Sequence, residues 1–149
     1  MANDSSQIDV IIAKYVEHIT NEMKHRGADV ALMLHEQAID HVLKGARSGR
    51  VYRKPNTKSY YRASAPGEPP AVRTGTFRRS WQPRSYAEGN TVHSEIYSNA
   101  RTDSKNGKSY LLGEVLEKGT NRMAPRPYKE KILEKTRKQA LKKYSEPYF

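Results

Sequence analysis

Apolar residues recur at helical spacing from Ile8 to Leu43, through Ile12, Tyr15, Ile19 and Met23 and on through Val30, Leu34, Ala38 and Val42. A period of 3.6 residues gathers this set on one face, so the pattern predicts a long N-terminal amphipathic helix. Ser6 with Asp9 three residues later has the form of a capping box, and Gly45 after Lys44 reads as the stop. Gly27 lies inside the pattern and costs about 1 kcal/mol relative to alanine, which makes it the place for a kink or break. Unbroken, such a helix runs about 54 Å at about 1.5 Å per residue, whereas a compact domain of this length has a radius of gyration of about 15 Å. It is therefore expected either to break near Gly27 or to pack its overhang on a neighbouring subunit.

The period is lost from residue 46 to 73, where Gly49, Pro55, Pro66, Gly67, Pro69 and Pro70 stand among Tyr52, Tyr60 and Tyr61. This reads as a long loop, and loops beyond about 12 to 15 residues in a small domain usually serve function or are disordered. Thr74 to Trp81 predicts a short helix burying Phe77 and Trp81, four apart on one face. Residues 83–87, the turn Glu88-Gly89-Asn90 and the alternating run Thr91 to Ser98, with Val92 and Ile96 inward, predict a hairpin. A polar loop from Asn99 to Ser109 leads to a short helix from Tyr110 to Lys118, ended by Gly119. Met123 to Pro127 is extended, and Pro127 suits the first turn of a last helix that reaches about Tyr144 and packs through Tyr128, Ile132, Ala140, Leu141 and Tyr144. The fold class is α+β in one domain: helix 1–45, basic loop 46–73, short helices and a small antiparallel sheet 74–126, and C-terminal helix and tail 127–149.

Composition changes the picture in three ways. The 149 residues are 36% hydrophobic and 29% charged, with a mean hydropathy of -0.92, so some apolar surface is expected to be buried between subunits rather than within one. No cysteine is present, which removes disulfides, thiolate metal sites and cysteine nucleophiles and suits a reducing cytosol. No apolar run approaches the roughly 18 residues of a membrane span, and Met1 to Ser6 lacks the basic and apolar regions of a signal peptide, so a soluble chain is expected.

Charge is unevenly spread around its total of +11. Residues 1–44 are slightly acidic, whereas between 45 and 85 ten cations face the single acid Glu68. Arg47, Arg50, Arg53, Lys54, Lys58 and Arg62 lead that run and are candidates for DNA or an acidic protein surface. Basic residues with interleaved tyrosines can stack bases and neutralise phosphates, and they equally suit a protein interface, where tyrosine and arginine are enriched. A solvated basic loop with no dedicated ligand is the plain alternative.

The side chains that would carry catalysis are poorly arranged. His35-Glu36 with His41 superficially suggests a metalloprotease helix, but a spacing of six is about 240° round the helix and the rings diverge. Gly45 to Arg50 lacks the Gly-Lys-Ser or Gly-Lys-Thr ending of a phosphate loop, and no serine sits in a Gly-x-Ser-x-Gly elbow. No catalytic residue, metal ligand or cofactor is assigned, and an enzyme is the least favoured class.

Two ordered blocks point elsewhere. The stretch from Ala63 to Ser80, Ala-Ser-Ala-Pro-Gly-Glu-Pro-Pro-Ala-Val-Arg-Thr-Gly-Thr-Phe-Arg-Arg-Ser, resembles the signature of a family of small neck or tail-completion (head-tail joining) proteins of long-tailed bacteriophages. Glu114 to Thr120 followed by Met123 to Tyr128 is similar to that family's acidic-Gly-Thr turn and its Arg-Pro-aromatic entry into the last helix. The likeness covers about Ile8 to Leu141; Arg73 stands where an acidic residue is common and Tyr128 where phenylalanine is. It implies a structural virion protein that forms a sixfold or twelvefold ring at the head-tail junction, assembled in the host bacterial cytoplasm. Its partners would be other copies of itself, head-completion or connector proteins, tail-tube or tail-terminator proteins, and viral DNA held non-specifically in the channel, with no membrane. Ser64, Pro66, Gly67, Pro69, Pro70, Thr74, Gly75, Arg78, Arg79, Glu117, Gly119, Thr120 and Arg126 are the candidate interface residues. Prolines stiffen the loop for docking, Arg78 and Arg79 suit carboxylates of an adjacent subunit, and Glu117 is a candidate partner. The alternatives are a tail-terminator or minor tail subunit, and a non-specific nucleic-acid-binding protein.

Overall fold

The computed structural model describes residues 3–149, with side chains from Ser6 onward. Helix α1 (Asn3–Glu36) passes into a π-helical turn (Gln37–Val42), closed by the Leu43 amide donating to the Ala38 carbonyl at 2.7 Å. After it come β1 (Val51–Arg53), β2 (Tyr60–Arg62), α2 (Thr76–Arg79), β3 (Trp81–Glu88), β4 (Thr91–Ser98), β5 (Arg101–Asp103), β6 (Ser109–Leu111), α3 (Leu112–Lys118) and α4 (Lys129–Ser145). The class is α+β. The six strands form three separate antiparallel hairpins, β1-β2, β3-β4 and β5-β6, where the sequence predicted one small sheet.

The core lies between the second half of α1, the β3-β4 hairpin and α4. Val30, Leu34, Ala38 and Val42 are buried there with Leu43, Trp81, Tyr128 and Ile132, while Phe77, Ile96 and Leu116 pack at its edge. The helical period of the sequence thus marks the right face of α1 from Val30 on. Before that it marks only half-burial at Ile19 and Met23, and Ile8, Ile11, Ile12, Tyr15 and Val16 on the same helix are all more than half exposed.

Helix α1 does not break at Gly27. Both β3 and β4 pack directly on the glycine, since a Cβ there would lie 2.4 Å from Val92 Cγ1 and 2.5 Å from Ser85 Oγ. Ser94 Oγ donates to the Gly27 carbonyl at 2.7 Å and so ties the hairpin to the same turn. Close packing, rather than a bend, accounts for this residue. Ser6 lies within the helix, three residues past its start, rather than at the cap.

Other elements differ in detail. The stretch 46–73 holds the β1-β2 hairpin, whose turn places Asn56 at φ 57°, a left-handed conformation that asparagine tolerates. Trp81 opens β3 instead of ending α2, yet its ring still meets Phe77 edge-on at 5.6 Å. The polar loop after Asn99 contains β5, and Tyr110 is on β6, ahead of the short helix. On α4 the buried stripe runs through Ile132 and Thr136 to Ala140 and Tyr144, whereas Leu141 is 63% exposed, about 180° round the helix from Ile132.

Candidate functional site

The Pro- and Gly-containing loop is held against the start of the last helix by a compact set of polar contacts. Arg126 Nη1 donates to the carbonyl and the hydroxyl of Ser64, which is 2% exposed, and to the Ala65 carbonyl at 3.3 Å. The Gly67 amide donates to the Pro125 carbonyl at 3.0 Å, and Lys131 Nζ donates to the Gly67 carbonyl at 3.1 Å. Glu68, the single acid of the basic stretch, accepts from Ser48 Oγ at 2.6 Å and from the Ala65 amide at 2.8 Å. The Ser48 hydroxyl, then the Ala65 amide, with Lys131 and Arg126 nearby, hold its carboxyl below the ordinary value. Gly49 completes the closure, because a Cβ there would meet the Ser64 carbonyl oxygen at 2.4 Å. Pro70 is buried and Pro69 half-buried, while Pro66 and Gly67 are exposed at the outside of the bend.

A second corner joins α3 to α4. Gly119 closes α3 at φ 73°, and a Cβ on it would lie 2.6 Å from the Met123 carbonyl oxygen, so backbone packing requires glycine. Thr120 and Met123 exchange backbone bonds of 2.7 and 3.1 Å. Glu117 Oε2 accepts the amides of Tyr128 at 3.0 Å and Lys129 at 3.3 Å, which caps the first turn of α4 from a distant side chain. Glu114 pairs with Lys129 at 2.5 Å and Lys118 at 3.0 Å; these two, Lys129 first, bring its carboxyl down to about 2. Between the corners the rings of Phe77, Trp81 and Tyr128 meet pairwise edge-to-face at 5.6 to 5.7 Å. Burial, then the charges of Glu117 and Glu114, push the Tyr128 hydroxyl far up.

Arg78 donates from Nε to the Ile39 carbonyl at 2.7 Å and from Nη2 to Asp40 at 3.1 Å, which satisfies the end of the π-helical turn within the chain. Arg79 folds back on the Thr74 carbonyl at 3.3 Å, beside Gly75 at φ 79°. Thr74 is exposed, and Thr120 is exposed at the other corner. The two sequence blocks are therefore brought together through Arg126 and Ser64. The Arg78 and Arg79 guanidinium groups are not brought to Glu117 of their own chain, since each of the three has other partners there.

The cations that open the basic run behave differently. Arg47, Arg50, Arg53, Lys58 and Arg62 are exposed and Lys54 half-exposed, arrayed on or beside the β1-β2 hairpin. Tyr52 and Tyr61 stack at 5.8 Å, with Arg50 over the Tyr52 ring at 5.9 Å and Arg73 over Tyr61 at 5.5 Å. This is a surface of flat rings edged by guanidinium groups. It can meet phosphates and bases or carboxylates and apolar side chains.

No group of three or more His, Asp or Glu converges as metal ligands among the described residues. His35 bonds the Trp81 carbonyl at 3.1 Å, His18 bonds the Tyr148 carbonyl at 2.9 Å, and His93 stacks on Tyr86 at 4.9 Å. An open depression of about 270 Å³ lies between His41, Gly45, Pro69 and Lys135, and one of about 340 Å³ lies between Gln82, Tyr97 and Asn99. No helix among the described residues is long and apolar enough to cross a membrane.

Sequence reasoning missed two features. Glu68 organises the loop it was set against, and its signal was its isolation among cations. Arg26, 5% exposed, clamps the C-terminal segment: it donates to the carbonyls of Glu146 and, at 2.6 Å, Pro147, and sits 4.1 Å from the Tyr148 ring centre. An arginine one turn after Glu22 on a helix reads as an ordinary ion pair and gives no such signal. Comparison of the chain with protein-family models, with curated proteins and with solved structures finds no match in any of the three.

Proposed function

We propose that this chain is a structural subunit of a tailed-phage virion, forming a ring at the head-tail junction that joins the portal-side connector to the tail tube and lets DNA pass. The observation that carries the reading is the meeting of its two resembling blocks: Arg126 of the second holds Ser64 and Ala65 of the first, and Pro125 accepts from Gly67. Segments distant in sequence whose motifs suit the same family then form one rigid corner, as a shared role in assembly would require. The bare half of α1 supports the same reading, since apolar side chains exposed in a row mark an interaction surface.

Mass spectrometry and labelling electron microscopy of purified virions of the encoding phage test it. The expected result is a fixed copy number per particle, with label at the collar. Absence from virions overturns the reading. Label at the tail, in particles lacking heads, favours a tail-terminator or minor tail subunit. The exposed basic hairpin favours one further reading, a free nucleic-acid-binding protein, for which absence from virions together with DNA affinity falling steeply with salt is the signature.

A further inference from the structure

Two parts of the molecule stand away from its core, and their chemistries are complementary. The first is the leading half of α1. At about 100° per residue, Ile8, Ile11, Ile12, Tyr15 and Val16 fall within an arc of roughly 140°, in line with Val30 and Leu34 further along. The face that builds the core after Gly27 is half-buried at Ile19 and Met23 and open nearer the N-terminus, where those five side chains are each 53 to 58% exposed and Phe149 meets only the edge at Tyr15. Between Ile8 and Met23 the acids Asp9, Glu17 and Glu22 outnumber the one base, Lys14.

The second part is the β1-β2 hairpin. Its strands pair with each other and lie against no other helix or strand beyond glancing contact. An isolated two-stranded hairpin is marginal in water, so this one gains from a partner. Val51, Tyr52 and Tyr60 are 45, 43 and 66% exposed, and from Gly45 to Arg62 there are six cations and no acid.

We infer that the bare half of α1 in one copy docks on the β1-β2 hairpin of a second copy. The apolar stripe covers Val51 and Tyr60, which share one face of the hairpin with Arg53 and Arg62, and Asp9 and Glu22, at the stripe's borders, face those arginines. The two patches differ, so the contact is heterologous: each copy offers one helix and one hairpin, and the series closes as a ring when the rotation permits. Pairing α1 with α1 would instead bring like-charged flanks together and leave the hairpin uncovered. The inference rests on the ring reading above and supplies its contact.

The test uses the full chain in two variants at exposed positions. Ile12→Glu with Val16→Glu disables the helix, and Arg50→Glu with Arg53→Glu disables the hairpin. Wild type is expected to form higher oligomers by sedimentation velocity, and each variant alone is expected to need roughly tenfold or more higher concentration to associate. Mixed, the two variants are expected to stop at a heterodimer, because one intact helix meets one intact hairpin. The chain has no cysteine, so Ile12→Cys and Tyr60→Cys prepared separately give a second readout. A short thiol crosslinker is expected to join the mixture and neither variant alone.

Four results overturn the inference: a wild type monomeric at all concentrations, assembly indifferent to the arginine changes, crosslinking of Ile12→Cys to itself, or arginine changes that abolish DNA binding while leaving oligomers intact. The virion experiment fails separately. Oligomers built by this contact in a protein absent from virions would uphold the contact and remove the proposed role; a virion protein indifferent to both variants would do the reverse.

Discussion

Arg126 donates to both the carbonyl and the hydroxyl of Ser64, joining residues 62 apart in sequence across the seam between the loop and the last helix. Ser64 is almost fully buried, so its two polar atoms depend on that one guanidinium. Arg126→Ala strands them, and a buried group left without its partner costs about 1 to 3 kcal/mol. Urea denaturation is expected to show a lower midpoint with an unchanged slope. Arg126→Lys restores part of the loss, since an ammonium reaches one acceptor but lacks the planar fork. Equal stability of Arg126→Ala and wild type would refute this account of the corner.

Much of that corner can be read from the residues alone, and the reason is local. Gly119, Pro125 and Pro127 restrict the backbone wherever they occur, so a turn followed by a helix start is legible from their types and spacing. The β3-β4 hairpin is legible for the same reason, through Gly89 and Asn90, but its register is not: Glu88, read as part of the turn, pairs with Thr91 across a two-residue loop. What pairs with what is not legible. Glu117 caps α4 from eleven residues away and Glu68 closes the loop through Ser48, and both contacts follow from how segments meet in space. The leading half of α1 shows a further limit: the same apolar period describes a buried face and a bare one, because periodicity reports which residues share a side but not what covers it.

Gly27→Ala sets two known effects against each other. Alanine gains about 1 kcal/mol of helix propensity over glycine. Its Cβ, however, would fall 2.4 Å from Val92 Cγ1, and valine is stiff at χ1. Overpacking of this kind costs about 1 to 3 kcal/mol, so a net loss of about 1 kcal/mol and a melting temperature lower by about 3 °C are expected by calorimetry. A more stable Gly27→Ala protein would mean that α1 and the hairpin are further apart than the structure places them.

Glu114 gives a pH dependence of defined sign. Its carboxyl titrates at about 2 in the folded chain instead of 4.5, held chiefly by the hydrogen bond from Lys129 and then by Lys118. A depressed folded value means stabilisation that is present above 4.5 and lost as pH falls from there toward 2. Carboxyl-carbon NMR is expected to place the Glu114 midpoint near that low value and to move it up in Lys129→Gln. A midpoint at the ordinary position in wild type would rule out the pair in solution.

Arg26 fixes the last residues to α1, and with them one edge of the bare apolar stripe. Besides its bonds to the Glu146 and Pro147 carbonyls, the segment is held by His18 on the Tyr148 carbonyl and by Phe149, whose ring lies 5.4 Å from Tyr15 and 5.3 Å from His18. Arg26→Met keeps the apolar stem but removes the donors and the cation above Tyr148. The expected result is a stability loss of about 1 to 2 kcal/mol and a fall in the heteronuclear NOE at Tyr148 and Phe149 to values of a free chain end. Freed of Phe149, Tyr15 becomes more accessible, so Arg26→Met is expected to assemble at lower concentration than wild type, while Ile12→Glu with Val16→Glu in the same background still weakens assembly. A tail that keeps its order without Arg26 would place the clamp in His18 and the aromatic contacts instead.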